Sequence, residues 1–323
     1  MDEQNKMPVD QDEALLALLH SRAEVQRLKE REQLFSALLA SVNSVLWALD
    51  WQAQRMVYVS PAYERIFGRS AALLLADYNE WRNCIYPDDL DYAQDSLREV
   101  LERGAIEHRE YRILRADGEV RWLSDKCFVS QHSEAGLPQM IVGIADDITD
   151  KKHMETELHR LATTDVLTQS SNRRYFFDSA EQAFRDCKAT STSLAFLLLD
   201  VDDFKKINDA YGHQVGDVVL QRIAQSGAGA LRRGDLFGRI GGEEFAVLLP
   251  GCDETMARQI GERLQREVQR LRFNEAEHFF SVTISQGLTL LQPDDQNLSA
   301  LYSRADAALY QAKRTGKDRM VQG

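Results

Sequence analysis

The spacing of apolar positions predicts one long helix near the start of the chain. Between residues 12 and 40, charged positions separate apolar residues that recur at heptad-like intervals. These apolar residues are Leu18, Val25, Leu28, Phe35 and Leu39. Ser21 and Glu32 interrupt the apolar seam. A helix that caps the next domain and a helix that dimerises as a coiled coil are therefore equal alternatives.

From about Val45 the pattern changes to short apolar runs separated by polar turns. The first two runs, "VLWALD" and "MVYVS", predict strands, and short helical segments follow as far as "LREVLERG". Three strand-like runs then end at "QMIVGIADDIT", and the Asp117-Gly118 turn separates the first two of them. This order of strands, small helices and strands predicts an α+β domain over residues 41–149.

A polar segment without Gly or Pro connects this domain to the second half of the chain. Within residues 150–164, Met154, Leu158 and Leu161 are spaced four and three residues apart. We therefore expect a stiff helical linker. Two such helices that pair along this seam would pass rotation or register to the next domain, whereas the alternative is a solvated linker helix.

In residues 165–323, two apolar runs lead into acidic residues. The run "LAFLLLDVDDF" is an apolar strand that ends in three aspartates, and "FGRIGGEEFAVLLP" places two glutamates after two glycines. Glycines let the backbone bend sharply and approach a ligand closely. Carboxylates at a strand end suit a divalent cation. If the two strands pair, their acids meet as in a two-metal phosphoryl-transfer site.

Composition and charge narrow the possible functions. The net charge of 39 − 51 = −12 argues against non-specific binding of nucleic-acid polymers, which requires a basic face. A nucleotide ligand is still compatible, because a bound metal overrides the global charge locally. The four cysteines form no Cys-x-x-Cys pair, no apolar run approaches membrane-span length, and the N-terminus is acidic. We therefore expect a cytoplasmic protein with reduced thiols and no membrane span.

The first domain resembles a PAS sensor domain. The resemblance rests on "YVSPAYERIFGRS", "IYPDDLD", "YRILRADGEVRW" and "GIADDITDKKHMETEL". It implies that this domain regulates the one that follows. PAS domains bind many different ligands or none, and the sequence identifies no particular ligand here.

The second domain resembles the GGDEF family of diguanylate cyclases, in its GGEEF form. Four ordered motifs carry this resemblance: "DVLTQSSNRR", "LDVDDFKKINDAYGHQVGD", "RRGDLFGRIGGEEF" and "ADAALYQAKRTGKDR". The resemblance implies a palm-like antiparallel sheet flanked by helices. It also implies a homodimer that joins two GTP molecules into cyclic di-GMP and releases two pyrophosphates, with Mg²⁺ or Mn²⁺ as cofactor.

The resemblance assigns the metal and catalytic roles to the two acidic strand ends. It implies that Asp200 and Glu243 bind Mg²⁺ with help from the Val201 carbonyl. Glu244 would add a metal contact or accept the hydroxyl proton. Because a carboxylate beside Mg²⁺ stays ionised, metal coordination is the stronger of these two roles.

Substrate binding is assigned to residues in two of the motifs. Asn208 and Asp217 match the pair that reads guanine, whose N1–H and N2–H groups adenine lacks; taken singly, they would be a helix cap and a turn acid. Phe204 is included among the substrate-binding residues. Lys313 and Lys317 are spaced to lie on one helical face, where they would hold the β- and γ-phosphates.

Two further features bear on regulation and on departures from the family. Arg232 and Asp235 match the Arg-x-x-Asp motif of product inhibition, Arg263 would complete that site, and a surface ion pair is the alternative. The first motif lacks the usual Gly-Leu-Pro-like middle, and Lys317-Asp318 replaces the usual Arg-Asn. A catalytically silent receptor for GTP or cyclic di-GMP is the competing function, but the intact acidic hairpin favours the enzyme.

Overall fold

The computed structural model describes residues 9–275 and 278–323. They form two compact units, one ending at Met154 and the other running from Glu155 to Gly323. The chain begins with α1 (Val9–Ser41), which confirms the predicted long helix. Its seam residues Leu18, Val25 and Leu28 are about half exposed. Among the described helices, none combines the length and apolar character needed to cross a membrane.

The first unit contains one antiparallel sheet of five strands: β1 (Val45–Asp50), β2 (Arg55–Val59), β3 (Ala105–Leu114), β4 (Val120–His132) and β5 (Pro138–Asp147). Their order in the sheet is β2-β1-β5-β4-β3. Between β2 and β3 the chain forms short helices that cover one face of the sheet, including two 3-10 turns, Tyr78–Cys84 and Pro87–Asp89. The α-helices are α2 (Ala62–Phe67), α3 (Ala71–Ala76) and α4 (Leu90–Arg103). The predicted order of elements is confirmed.

A buried ion pair joins β3 to β4 inside this unit. Arg109 and Asp125 are 5% and 1% exposed, and Arg109 Nε donates to Asp125 Oδ2 at 3.1 Å. Asp125 also accepts from Tyr111 Oη at 3.1 Å and from Trp47 Nε1 at 3.2 Å. Burial disfavours the charged guanidinium, but the Asp125 carboxylate outweighs this effect and raises the pKa of Arg109.

The linker is helical, as predicted. Helix α5 (Thr149–Thr163) begins in the first unit and ends in the second. Its apolar residues Met154, Leu158 and Leu161 are 60%, 66% and 49% exposed. A seam of this exposure lacks an apolar partner within the described part of its own chain.

The second unit is built on a sheet of five strands: β6 (Leu194–Val201), β7 (Leu236–Gly241), β8 (Glu244–Pro250), β11 (Ile284–Leu290) and β12 (Met320–Gln322). A separate hairpin consists of β9 (Phe273–Glu275) and β10 (His278–Phe280). The order in the sheet is β12-β11-β6-β8-β7, and all neighbours are antiparallel except β11 and β12. The helices are α6 (Arg173–Thr190), α7 (Phe204–Tyr211), α8 (His213–Gly229), α9 (Glu254–Arg270) and α10 (Leu298–Arg314).

The central strand β6 is buried at every position because helices cover both faces of the sheet. Alternate side chains of a strand point to opposite faces. Leu197 and Leu199 accordingly pack in one core with α8 and α9, whereas Phe196 and Leu198 pack in the other with α6 and α10. Asp200 continues the second set, so its side chain points to the face that carries α10.

The Arg109–Asp125 pair gives the first testable prediction. In Asp125→Asn the Arg109 charge loses its counterion while it stays buried, so we expect the free energy of unfolding of the first unit to fall by about 3–5 kcal/mol. Tryptophan fluorescence during denaturant unfolding of the whole chain reports on this unit alone, since all four tryptophans lie in it. They are Trp47, Trp51, Trp81 and Trp122.

The matched control is Asp95→Asn, which breaks the exposed pair with Arg98 on α4. Surface pairs of this kind contribute little to stability, so this variant should unfold like the parent. An Asp125→Asn variant that unfolds at the parent's denaturant concentration would contradict the assigned role of the buried pair.

Candidate active site

The pairing of β6 with β8 brings the two acidic motifs together. Asp200 lies directly opposite Glu244 in the antiparallel register, and directly opposed side chains lie on the same face of a sheet. Glu243 lies in the turn before β8, where its carbonyl accepts from the Val201 N–H at 3.3 Å. The structure therefore places Asp200, Val201, Glu243 and Glu244 at one end of the sheet.

Gly241 lies next to the side chain of Glu244. A methyl group at this position would lie 3.1 Å from Glu244 Oε2, which is closer than ordinary van der Waals contact. Nothing lies near the corresponding position of Gly242. A methyl group at Gly241 would therefore shift the carboxylate end of Glu244 by a few tenths of an ångström, and neither glycine has a positive φ.

Charge is concentrated at this end of the sheet. Burial raises the pKa of the Asp200 carboxyl above its ordinary value, Lys313 opposes the rise, and the negative charges of Glu243 and Glu244 add to it. The Lys313 Nζ atom lies 2.7 Å from Asp200 Oδ2. The ammonium group of Lys313 on α10 thus partly balances the negative charge at Asp200.

The residues present fit a divalent cation. No three His, Cys, Asp or Glu side chains within residues 9–275 and 278–323 form a ready metal-binding group. Two carboxylates and a main-chain carbonyl nevertheless supply the hard oxygen ligands that ions such as Mg²⁺ prefer. A cation already stands among them, since Lys313 binds the least exposed of the carboxylates.

The other two aspartates of the β6 motif have different surroundings. Asp202 is 7% exposed and accepts from Thr283 Oγ1, Ser285 Oγ and the Asp318 N–H at 2.7, 2.6 and 3.0 Å. Its carboxylate therefore fixes loops of the fold. Asp203 has a left-handed backbone, with φ of 55°, at the start of α7.

The prediction that Lys313 and Lys317 share one helical face is wrong. Helix α10 ends at Arg314, and Gly316 and Lys317 have φ of 123° and 59°, so the chain leaves the helix before Lys317. Lys317 Nζ binds Asp203 Oδ1 at 2.8 Å. This bond and a second one from Lys206 hold the pKa of Asp203 below its ordinary value. Spacing alone did not reveal the glycine stop.

The proposed base-reading residues lie on the helix pair α7–α8. Asn208 Oδ1 is buried and has no hydrogen-bond partner among the described residues. A methyl group at Gly216 would overlap with this oxygen, so Asn208 lies against the start of α8. Asp217 follows Gly216 in sequence and is exposed. Phe204 is 8% exposed and belongs to the core, where its ring packs beneath Gly216.

The Arg-x-x-Asp residues form an ion pair. Arg232 Nε lies 3.1 Å from Asp235 Oδ1, whose side chain is 1% exposed, and Arg232 Nη2 donates to the Pro250 carbonyl at 2.8 Å. Arg263 on α9 donates to the Ala230 carbonyl of the same loop. A surface pocket of about 440 Å³ opens beside Arg232 and Asp235.

Sequence reasoning missed the residues that hold the hairpin backbone. Arg173 Nη1 donates to the Ile240 carbonyl at 2.6 Å, and Arg239 Nε donates to the Gly242 carbonyl at 2.9 Å. Arg239 also pairs with Asp165 at 3.2 Å, so its guanidinium group is held in an ion pair. The one indication for Arg173 in the sequence was its place in the "NRR" of the first motif.

Comparisons with known proteins identify both units. The family model described as "Diguanylate cyclase, GGDEF domain" matches residues 162–319, and the model "PAS fold" matches residues 56–145. A diguanylate cyclase of Vibrio cholerae is 31% identical over 265 residues, which is 81% of each chain. The chain belongs to the diguanylate cyclase family. The PAS–GGDEF architecture expected from the sequence is confirmed.

Other relatives of this diguanylate cyclase differ in length. The probable diguanylate cyclase DgcT of Escherichia coli is 39% identical over half of this chain, which spans only 36% of DgcT. The crystal structure of the coiled coil and GGDEF domain of DgcB from Caulobacter crescentus, in complex with c-di-GMP, is 30% identical. Its TM-score is 0.51, and the match covers 54% of this chain and 91% of that one. SiaD of Pseudomonas aeruginosa, solved with its activator SiaC, is 36% identical with a TM-score of 0.50, over 54% of this chain and 66% of that one.

The contact between Gly216 and Asn208 predicts a substrate-binding defect in this cyclase. In Gly216→Ala the new methyl group displaces the Asn208 side chain, so we expect the KM for GTP to rise about tenfold, the equivalent of one lost hydrogen bond. Steady-state kinetics with GTP measures the change. The control is Gly229→Ala at the other end of α8, where nothing lies near the added methyl. Equal KM values for the two variants would contradict a role for Asn208 in binding GTP.

Proposed function

We propose that this chain, as a homodimer, condenses two GTP molecules into cyclic di-GMP with release of two pyrophosphates. The observation that carries the proposal is the register of β6 and β8, which opposes Asp200 to Glu244. Lys313 of α10 lies 2.7 Å from the same Asp200 carboxylate. Oxygen ligands and an ammonium group at one strand end match what a triphosphate and its metal require.

Separate groups of residues are assigned to the guanine base and to the phosphates of GTP. Asn208 Oδ1 has no hydrogen-bond partner among the described residues, and Asp217, which follows Gly216 in sequence, is exposed. We assign both as acceptors for the guanine N–H groups. An adenine ring would leave both acceptors unsatisfied. Lys313 binds Asp200 near the end of β6, and Lys317 binds Asp203 just before α7. Both lysines are therefore placed to take up phosphate oxygens at this strand end.

Asp200, Glu243 and the Val201 carbonyl would hold the cation, Mg²⁺ or Mn²⁺. When bound, the cation neutralises the triphosphate and activates the attacking 3′-hydroxyl. Glu244 lies on the same face as Asp200 and can add an oxygen ligand or accept the hydroxyl proton. Burial of Asp200 excludes water from one side of the reacting groups.

The product requires two such sites. Each GTP supplies the 3′-hydroxyl that attacks the α-phosphate of the other, and each chain carries one acidic hairpin. The exposed apolar seams of α1 and α5 support pairing of two chains along these helices. Such pairing would bring two hairpins face to face and would let the PAS unit regulate their approach.

The small pocket in the core of the PAS unit limits the size of any ligand that can bind there. Its internal cavity has a volume of about 70 Å³ and is lined by aromatic side chains such as Trp47, Tyr63 and Trp81. An apolar cavity of about 150 Å³ admits benzene. A ligand larger than a few heavy atoms, such as haem or flavin, therefore needs an expansion of this core before it can bind.

The experiment that tests the proposed function is incubation of the whole chain with GTP and Mg²⁺, followed by mass spectrometry of the products. We expect cyclic di-GMP, with a rate per chain that rises with protein concentration as dimers form. Asp200→Asn should lower the rate about 100-fold or more, since even changes behind the metal ligands cost 10- to 100-fold.

The matched control is Asp178→Asn, which removes an exposed carboxylate of α6 and should leave the rate unchanged. Bound cyclic di-GMP without turnover at any protein concentration would refute the enzyme and favour the receptor. Near-normal turnover by Asp200→Asn would refute the metal site.

We propose in addition that cyclic di-GMP inhibits the enzyme by binding Arg232, Asp235 and Arg263. The guanidinium group of Arg232 is oriented by Asp235 and the Pro250 carbonyl and borders an open pocket. Guanine edges and phosphates suit such a planar donor.

Arg232→Ala should therefore raise the inhibition constant of cyclic di-GMP about 10- to 100-fold, because it removes charge-assisted hydrogen bonds. The initial rate without product should change little. Arg233→Ala, at the neighbouring exposed position, is the control and should keep the parent's inhibition constant. Unchanged inhibition of Arg232→Ala, measured from initial rates at several product concentrations, would contradict this site.

A further inference from the structure

The catalytic hairpin depends on two arginines for the position of its backbone. Arg173 donates to the Ile240 carbonyl and Arg239 to the Gly242 carbonyl, so the two bonds flank Gly241. Gly241 and Gly242 have no side chains to pack, and the Val201–Glu243 backbone bond is long at 3.3 Å. Charged donors make stronger hydrogen bonds than neutral ones. The arginines are therefore major restraints on this turn.

The first arginine is linked directly to the end of α5 through Asn172. The Asn172 N–H donates to the Thr163 carbonyl at 2.9 Å, and its Nδ2 donates to the Ala162 carbonyl at 3.0 Å. Asn172 Oδ1 accepts from the Tyr175 N–H at 2.9 Å and so caps α6. One side chain therefore joins the last carbonyls of α5 to the first turn of α6, which begins with Arg173.

The second arginine is linked to the same place. Arg239 Nη1 lies 3.2 Å from Asp165 Oδ1, two residues after α5 ends. Thr168 donates to the same Asp165 oxygen through its N–H and its hydroxyl, at 2.9 and 2.7 Å. The Arg239 N–H also donates to the Ser171 carbonyl at 2.9 Å. Both restraints on the hairpin thus originate within ten residues of the α5 terminus, between Asp165 and Arg173.

We propose that Arg173 is a positioning residue. It holds the acidic hairpin in a position that is set by the end of α5, and Asn172 links Arg173 to that helix. A displacement of the α5 end then changes where Glu243 and Glu244 lie relative to Asp200. The proposal rests on the proposed function for its kinetic consequence. It gives the linker helix a route to the metal ligands inside a single chain, in addition to the approach of two chains.

The neighbouring Arg174 supplies a matched control. Its side chain is 88% exposed and lies 3.8 Å from Asp178 on the same helix. Arg173 and Arg174 have the same chemistry and adjacent positions, but of these two only Arg173 reaches the hairpin.

The experiment compares Arg173→Met, Arg173→Lys and Arg174→Met in the full chain. For Arg173→Met we expect kcat to fall about 10- to 100-fold and the Mn²⁺ concentration at half-maximal rate to rise, as for other residues that orient metal ligands. The KM for GTP should stay unchanged, because Asn208 and Asp217 lie on other helices. Arg173→Lys, which keeps one charged donor, should recover part of kcat, and Arg174→Met should behave like the parent.

Asn172→Asp isolates the link to α5. The aspartate keeps an acceptor for the Tyr175 N–H, but it lacks the Nδ2 donor to the Ala162 carbonyl. We expect the same shift in Mn²⁺ dependence as for Arg173→Met, in a smaller amount. An Asn172→Asp variant with the parent's Mn²⁺ dependence would overturn the link to α5.

A merely structural role predicts a different result. A partly unfolded population lowers kcat but leaves the Mn²⁺ dependence of the folded fraction unchanged. That outcome for Arg173→Met, or equal effects of Arg173→Met and Arg174→Met, would overturn the proposal. Mn²⁺ binding measured by electron paramagnetic resonance needs no turnover. If the parent makes no cyclic di-GMP, the proposed function fails, while weaker Mn²⁺ binding by Arg173→Met would still support the positioning role and unchanged binding would refute it.

Discussion

The antiparallel register of β6 and β8 is the constraint on which the active site depends. It places Asp200 opposite Glu244, and a slip of one residue would turn every side chain of the strand to the opposite face. The register is fixed by burial, because the apolar residues of β6 alternate between two cores. A slip would exchange these two sets and would also carry Asp200 away from α10 and Lys313. The hydrophobic packing of the sheet thus sets the geometry of the carboxylates.

The placement of acidic side chains at the end of β6 lowers the local stability of the sheet. Burial, together with repulsion from the negative charges of Glu243 and Glu244, raises the pKa of Asp200 at this strand end. Lys313 offsets part of this repulsion, and two arginines restrain the turn that carries the glutamates. Groups that favour a cation, held by a rigid scaffold, are typical of a site whose chemistry is selected over its stability. The Arg109–Asp125 pair of the PAS unit is buried too, but there each charge has one counterion of opposite sign.

The sequence predicted those features that depend on local pattern. The apolar run before Asp200, the glycines of the hairpin, and the order of strands and helices in both units follow from side-chain period and turn chemistry. Lys317 was misplaced because a glycine stop ends α10 before it. Arg173 and Asp165 were not identified as hairpin supports, since they act on residues 67 and 74 positions away in sequence. No local period encodes contacts of that range; only the fold reveals them.

Mn²⁺ binding to the full chain, measured by electron paramagnetic resonance in the presence of a GTP analogue that cannot be cleaved, tests the central claim most directly. The acidic hairpin and the end of β6 form one cation site in this account. It therefore predicts tight binding by the parent and weak binding by Glu243→Gln and Asp200→Asn alike. Parent-like binding by either variant, with the fold intact, would contradict it.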